Sequence, residues 1–193
     1  MGIDDQVQQV DLGIYVKSGL SREFRQGEIL STVARYSVNP IDKTYSPIVY
    51  PYAIIAAQDC DLLQDFEKRA KDNSGSICEV VIYPAQKTVD TFATIKGSDI
   101  KKRIENNKDE RYHLFEEVDK DKDLLGQGVP SLLVDFKMLF TLSIPDLQIQ
   151  IEAGTANRRT RLEMPYREHF QSRAAFYFQR VMLPRQHNAP SCE

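Results

Sequence analysis

The apolar positions of this chain fall mostly in short runs bounded by turn residues, the pattern of strands rather than of long helices. The stretch "FRQGEILSTVARYSV" (24–38) turns at Gly27 and continues as a strand through Ile29, Leu30 and Val33. "NPIDKTYSPIVYP" (39–51) carries Pro40, Pro47 and Pro51, which excludes a helix and predicts a loop, or an edge strand at most. "YAIIAAQDC" (52–60) is apolar on both faces and predicts a central, buried strand. Further strands are predicted over 77–85, over 111–118, and as one strand or a pair over 130–142.

Helical spacing appears in three places. Leu62, Leu63, Phe66 and Ala70 predict a helix after the QDCD strand, ended by "NSGS" at 73–76. A second helix is predicted at 98–106, inside a polar stretch that runs from Lys96 to Asp123. The clearest follows Pro165, where Tyr166, Phe170, Ala174, Tyr177 and Val181 form one apolar stripe and Pro184 closes the element. This organisation reads as an N-terminal arm (1–22), a single domain (23–184) with a polar insertion (96–123) and a C-terminal amphipathic helix (165–183), and a tail (185–193). A length of 193 residues suits one such domain.

Composition narrows the class. The chain is 41% hydrophobic and 27% charged, ordinary for a globular protein. No apolar run approaches the roughly 20 residues of a membrane helix, and the acidic start "MGIDDQVQQVDLG" is no signal peptide. The three cysteines are irregularly spaced, which fits a reducing compartment. The expectation is therefore a cytoplasmic protein without membrane contact.

Charge adds an asymmetry. Residues 153–193 hold seven Arg and three Glu, a balance of +4, so the remainder of a chain of net charge −3 stands at −7. Arg158, Arg159, Arg161 and Arg167 lead this segment, and Arg is the cation best suited to bidentate contact with phosphate or carboxylate. Two readings stand: a segment whose Arg residues pair with the acidic remainder, or a surface facing nucleic acid or an acidic partner.

The chemistry-bearing cluster is "QDCDL". Asp59 or Asp61, with Gln64 three residues beyond Asp61, suits the start of a helix, where a carboxylate takes free backbone N–H groups. Cys60 as a nucleophile needs a base, and His113 and His169 are the histidines available for that role. A metal or small-ligand site from Asp59, Cys60, Asp61 and His113 mixes hard and soft donors and lacks paired ligand spacing. No Gly-rich phosphate loop is present, and no cofactor is implied.

The succession "FRQGEILSTV", a Pro-rich loop, "PYAIIAAQDCDL" and "CEVVIYPA" resembles the opening of the PemK/MazF-like growth-inhibitor toxins over about residues 24–90. The resemblance implies an α+β fold built on an SH3-like β-barrel, here with the polar helical insertion and the C-terminal amphipathic helix, and pairing as a homodimer. It also implies cleavage of single-stranded RNA by an Arg beside the second strand and a hydroxyl after the third. At the Arg position this chain has Pro51–Tyr52, with Arg35 and Lys43 the nearest cations, while Thr88 stands for the hydroxyl. Across most of its length, "QDCDL", "RYHLF", "LLVDFKMLFTL" and "MPYREHF" resemble a bacterial family that brings an expected fold without assigned biochemistry.

The leading expectation is a non-enzymatic nucleic-acid- or protein-binding accessory module of a bacterial defence, toxin–antitoxin or mobile-element system. It would contact RNA, DNA or an acidic protein through Arg158, Arg159, Arg161 and Arg167. The alternatives are an endoribonuclease using Arg35 or an Arg of the C-terminal segment, with Thr88 assisting, and a metal or ligand site at the QDCD cluster with His113.

Overall fold

The computed structural model describes residues 13–17, 22–72, 74–77 and 79–179. They form a mixed α+β fold: one curled, antiparallel, eight-stranded sheet, a half-barrel, with five helices. The strands are β1 (Tyr15–Val16), β2 (Glu28–Val38), β3 (Tyr45–Ile55), β4 (Val80–Lys87), β5 (Tyr112–Phe115), β6 (Leu132–Asp135), β7 (Phe140–Leu142) and β8 (Asn157–Leu162). The helices are α1 (Asp59–Asp72), α2 (Thr88–Thr94), α3 (Ser98–Glu105), α4 (Ile144–Glu152) and α5 (Tyr166–Gln179). Strand order is β1-β8-β2-β3-β4-β6-β5, with β7 paired to β4. No described helix is long and apolar enough to cross a membrane.

Alternation along the strands sends side chains to two cores. Ile29, Ile54, Tyr83 and Phe136 gather on one face under Phe170 and Ala174 of α5. Leu30, Val33, Ala53, Ile55 and Ile82 gather on the other, under Leu62 of α1 and Ile144 and Leu147 of α4. The stripe of the last helix is thus used as the periodicity predicts for Phe170, Ala174 and the partly buried Tyr177, whereas Tyr166 stays exposed. Val181 and the tail lie outside the described residues.

The structure departs from the sequence reading at several elements. The Pro-rich segment supplies much of β3, an eleven-residue strand; among the described strands it pairs with β2 alone before Tyr52, so of the loop and the edge strand that its prolines allow, the edge strand forms. Proline is tolerated because Tyr36 pairs with Pro47; a ring nitrogen without N–H must face away from β2, onto the strand's outer edge. Helix α1 starts at Asp59, two residues before the predicted position. Residues 144–152 form α4, which starts on a Ser143 cap, its Oγ accepting from the Asp146 N–H at 3.1 Å. The Arg-rich "NRRTRL" is strand β8, inside the sheet between β1 and β2. Within the N-terminal segment, Tyr15 and Val16 pair with β8 as an edge strand.

Gly27 is the turn residue that the sequence implies. Its φ of +75° is left-handed, and a Cβ there would meet the Leu162 Cβ at 3.0 Å.

Candidate functional site

The C-terminal arginines are held inside the fold by carboxylates distant in sequence. Arg158 pairs with the fully buried Glu28 and donates to the Glu23 carbonyl at 2.9 Å. Arg159 forks onto Asp123, both bonds 2.8 Å, and neither residue reaches solvent appreciably. Arg167 meets Asp59 at 2.5 Å. Arg161 is half-buried, its Nε without a hydrogen-bond partner. Arg173 donates to the carbonyl oxygens of Asp109 and Tyr112 and to Asn107 Oδ1. Of the two readings of the charge asymmetry, pairing with the acidic remainder matches these contacts. The guanidinium groups of Arg158, Arg159 and Arg167 are committed to internal carboxylates, so they do not form an open cationic face.

The QDCD residues are likewise accounted for locally. Asp59 accepts the Gln26 backbone N–H at 2.8 Å and faces Arg25 at 3.6 Å, tying the turn before β2 to α1 and, through Arg167, to α5. Cys60 is exposed, its thiol 3.7 Å from Gln58 Oε1 and from Asp61 Oδ1. His113 sits instead in β5, with its ring 4.6 Å from Phe115 and 5.2 Å from Phe170. Its Nδ1 takes an N–H from Arg173 at 3.1 Å, since a guanidinium only donates. Burial, Arg173 and the neighbouring His169 push its basicity well below the ordinary range, so the ring is neutral. Among the described residues no three His, Cys, Asp or Glu side chains are grouped to hold a metal.

The arrangement with room for a ligand lies elsewhere, on the sheet between β3 and β5. A groove of about 260 Å³ is lined by Tyr50 and Pro51 of β3, Gln86 of β4, Thr91 and Thr94 of α2, Tyr112 of β5, Asp135 of β6 and Met138. The two tyrosines stand on strands separated by β4 and β6, which at the usual strand spacing is about 14 Å.

Each side is braced. Tyr50 stacks on Phe140, centroids 4.4 Å apart and planes 16° from parallel. Arg35, paired with Ile48 in the β2–β3 register, lies 5.8 Å from the same Phe140 ring, and its Nε has no hydrogen-bond partner. On the other side the Arg111 guanidinium lies 4.8 Å over Tyr112 and is held by Asp135, Nε to Oδ1 at 2.8 Å. Burial and Asp135 raise the Tyr112 phenol's pKa, so it remains a hydrogen-bond donor at neutral pH.

Thr88 opens α2, three helical positions before Thr91, the first of the groove threonines. Its hydroxyl lies 2.8 Å from the Ser131 hydroxyl. Ser131 donates its one proton to the Phe115 carbonyl, so Thr88 is the donor of the pair and its proton is already in use. The groove therefore offers aromatic faces, an amide and hydroxyls. Its one carboxylate is bound by Arg111. This donor and acceptor set suits hydrogen bonding better than proton transfer.

A larger apolar cavity, about 360 Å³ and lined by Phe24, Leu125, Ile151 and Ala156, has Arg158 at its polar end. That guanidinium is taken by Glu28, and Arg22 on the cavity's rim adjoins residues outside the described set.

The sequence reading did not single out Tyr50, Gln86, Thr91, Thr94 or Tyr112. They come from four separate elements, and the one local signal was the "YPY" at 50–52, which the Pro-rich loop expectation absorbed. No protein-family model matches the chain, and no curated protein matches it significantly.

Proposed function

We propose that the chain is a non-enzymatic nucleic-acid-binding accessory module that takes unpaired bases of RNA or DNA into the groove between Tyr50 and Tyr112. The observation that carries this reading is the pair of braced tyrosines, with the Arg35 guanidinium over the Phe140 ring that backs one of them and without a carboxylate partner among the described residues. Single-stranded nucleic acid is held by stacking on aromatic faces and by cations along its backbone, and base edges are read by amides and hydroxyls such as Gln86 and Thr94. The half-barrel is compatible with an SH3-like barrel, and the likeness to the PemK/MazF-like toxins points to a bacterial defence, toxin–antitoxin or mobile-element setting in the cytoplasm.

The test is fluorescence anisotropy of a labelled single-stranded RNA, and of the matching DNA, at two salt concentrations. Wild type should bind with an affinity that falls with salt. Tyr50→Ala and Tyr112→Ala should each weaken binding about 5- to 150-fold, the range of a lost stacking contact. Arg35→Ala should reduce the salt slope by about one. Absence of binding at low salt, or wild-type affinity in both tyrosine variants, overturns the proposal.

A second reading, an endoribonuclease, draws on the same region because Arg35 lies over the Phe140 ring that stacks on Tyr50, and Thr88 opens the helix that carries Thr91 and Thr94. It requires product bands from the RNA, lost in Arg35→Ala and in Thr88→Ala. Binding without products rejects it.

A further inference from the structure

Beyond Val33 the paired strands β2 and β3 leave the rest of the sheet as an arm, with β8 paired only as far as Ser31 and β4 only from Tyr52. Residues directly paired in an antiparallel ladder project from the same side. The pairs Ala34–Val49, Tyr36–Pro47 and Val38–Tyr45 therefore share one face of the arm. Every one of these side chains is apolar or aromatic. Tyr36 is 72% exposed, Val38 46%, Tyr45 76% and Val49 53%, and Ile41 in the connecting turn is 90% exposed. The charged residues of the arm are elsewhere: Arg35 projects from the opposite side, and Asp42 and Lys43 occupy the turn.

The arm's edges are closed at its base. Gln150 of α4 covers the outer edge of β2, its Oε1 accepting the Ala34 N–H and its Nε2 donating to the Ala34 carbonyl, both at 2.8 Å. Pro47 offers no N–H along the outer edge of β3. An incoming strand thus finds a poor edge, while the face stays open.

We propose that this face is a homotypic interface: two copies of the chain stack their arms through it about a two-fold axis. The two tyrosines would bury roughly 300 Å², and Val38, Ile41, Pro47 and Val49 roughly as much again. Two copies together reach roughly 1,200 Å², the lower end of specific interfaces and enough for a reversible dimer. Self-pairing suits the chemistry, because an uncharged face meets its own copy without like-charge repulsion, whereas nucleic acid or an acidic partner needs cations that it lacks.

Sedimentation velocity over a concentration series, on nucleic-acid-free protein, tests this independently of the groove. Wild type should become dimeric by tens of micromolar, with little dependence on salt because the contact is uncharged. The double variant Tyr36→Ser/Tyr45→Ser should weaken the dimer more than tenfold while keeping the wild-type thermal melt, since both side chains are exposed. Phe176→Ser/Phe178→Ser, which removes exposed aromatics of α5 instead, should leave the dimer intact. A wild type that stays monomeric, or a dimer that survives the arm variant and is lost in the α5 variant, overturns the proposal.

Discussion

Replacing Asp123 by Asn tests whether the C-terminal arginines are structural. Asp123 Oδ2 accepts from Arg159 Nη2 at 2.8 Å and from the backbone N–H groups of Gln127 and Gly128, each at 2.9 Å. Its Oδ1 accepts from Arg159 Nε at 2.8 Å and from the Leu125 N–H at 3.3 Å. Whichever way an Asn amide is turned, its NH₂ faces donors only, and Arg159 remains buried without a counter-charge. Breaking such a pair by removing one partner costs about 3–5 kcal/mol. Part of that cost is visible in wild type as a pH dependence. Burial would raise the Asp123 carboxyl, but Arg159 and the backbone N–H groups outweigh it and hold it at about 2, against an ordinary 3.8. That depression contributes about 2 kcal/mol of stability. The contribution is complete above pH 3.8 and is lost as pH falls towards 2, because protonation then favours the unfolded chain. Urea denaturation from pH 7 to pH 2 gives both quantities. Asp123→Asn should lower stability at pH 7 by about 3–5 kcal/mol and flatten the loss below pH 4. Asp123→Leu/Arg159→Met should recover much of the deficit, since an apolar pair leaves no unpaired charge. A cost under about 1 kcal/mol, the worth of an exposed ion pair, would refute the assignment of Arg159 to the interior.

Two further outcomes follow from the other core. Phe170 is fully buried and touches the rings of Tyr83, His113, Phe115 and Phe136; Phe170→Ala should cost about 3–5 kcal/mol by denaturant melt, and a loss below about 1 kcal/mol would mean that α5 is not docked there. The neutral His113 contributes stability that is complete above its ordinary pKa of 6.5 and declines as pH drops below it, since only the unfolded chain takes up the proton. His113→Gln should flatten that decline between pH 7 and pH 5; an unchanged slope would place the titration elsewhere.

Much of the fold was legible because its signals are local. The spacing of Phe170, Ala174 and Tyr177 gave the face of α5, and Gly27 marked the turn into β2. The misses share a cause as well. The prolines left a loop and an edge strand both open, and the edge strand forms because no described strand pairs with β3 on the side away from β2 before Tyr52. The stretch "NRRTRL" shows no apolar alternation because Arg158 and Arg159 are buried as ion pairs, so a strand of the inner sheet reads as a basic surface.

The same point governs how the charge asymmetry is to be used. A +4 segment beside a −7 remainder describes equally well a phosphate-binding surface and a folded chain that neutralises itself. The difference lies in pairs such as Arg158 with Glu28, 130 residues apart, and Arg167 with Asp59, 108 apart. No window along the sequence contains both members. Arg35 is the reverse case: a single cation in an uncharged strand context, unremarkable by composition, yet its Nε is left without a hydrogen-bond partner beside an aromatic groove. A guanidinium with no carboxylate partner among the described residues, lying over the ring that backs Tyr50, is a more specific motive for a binding test than seven arginines in sequence, because affinity for a phosphate depends on cations that the fold has not already used.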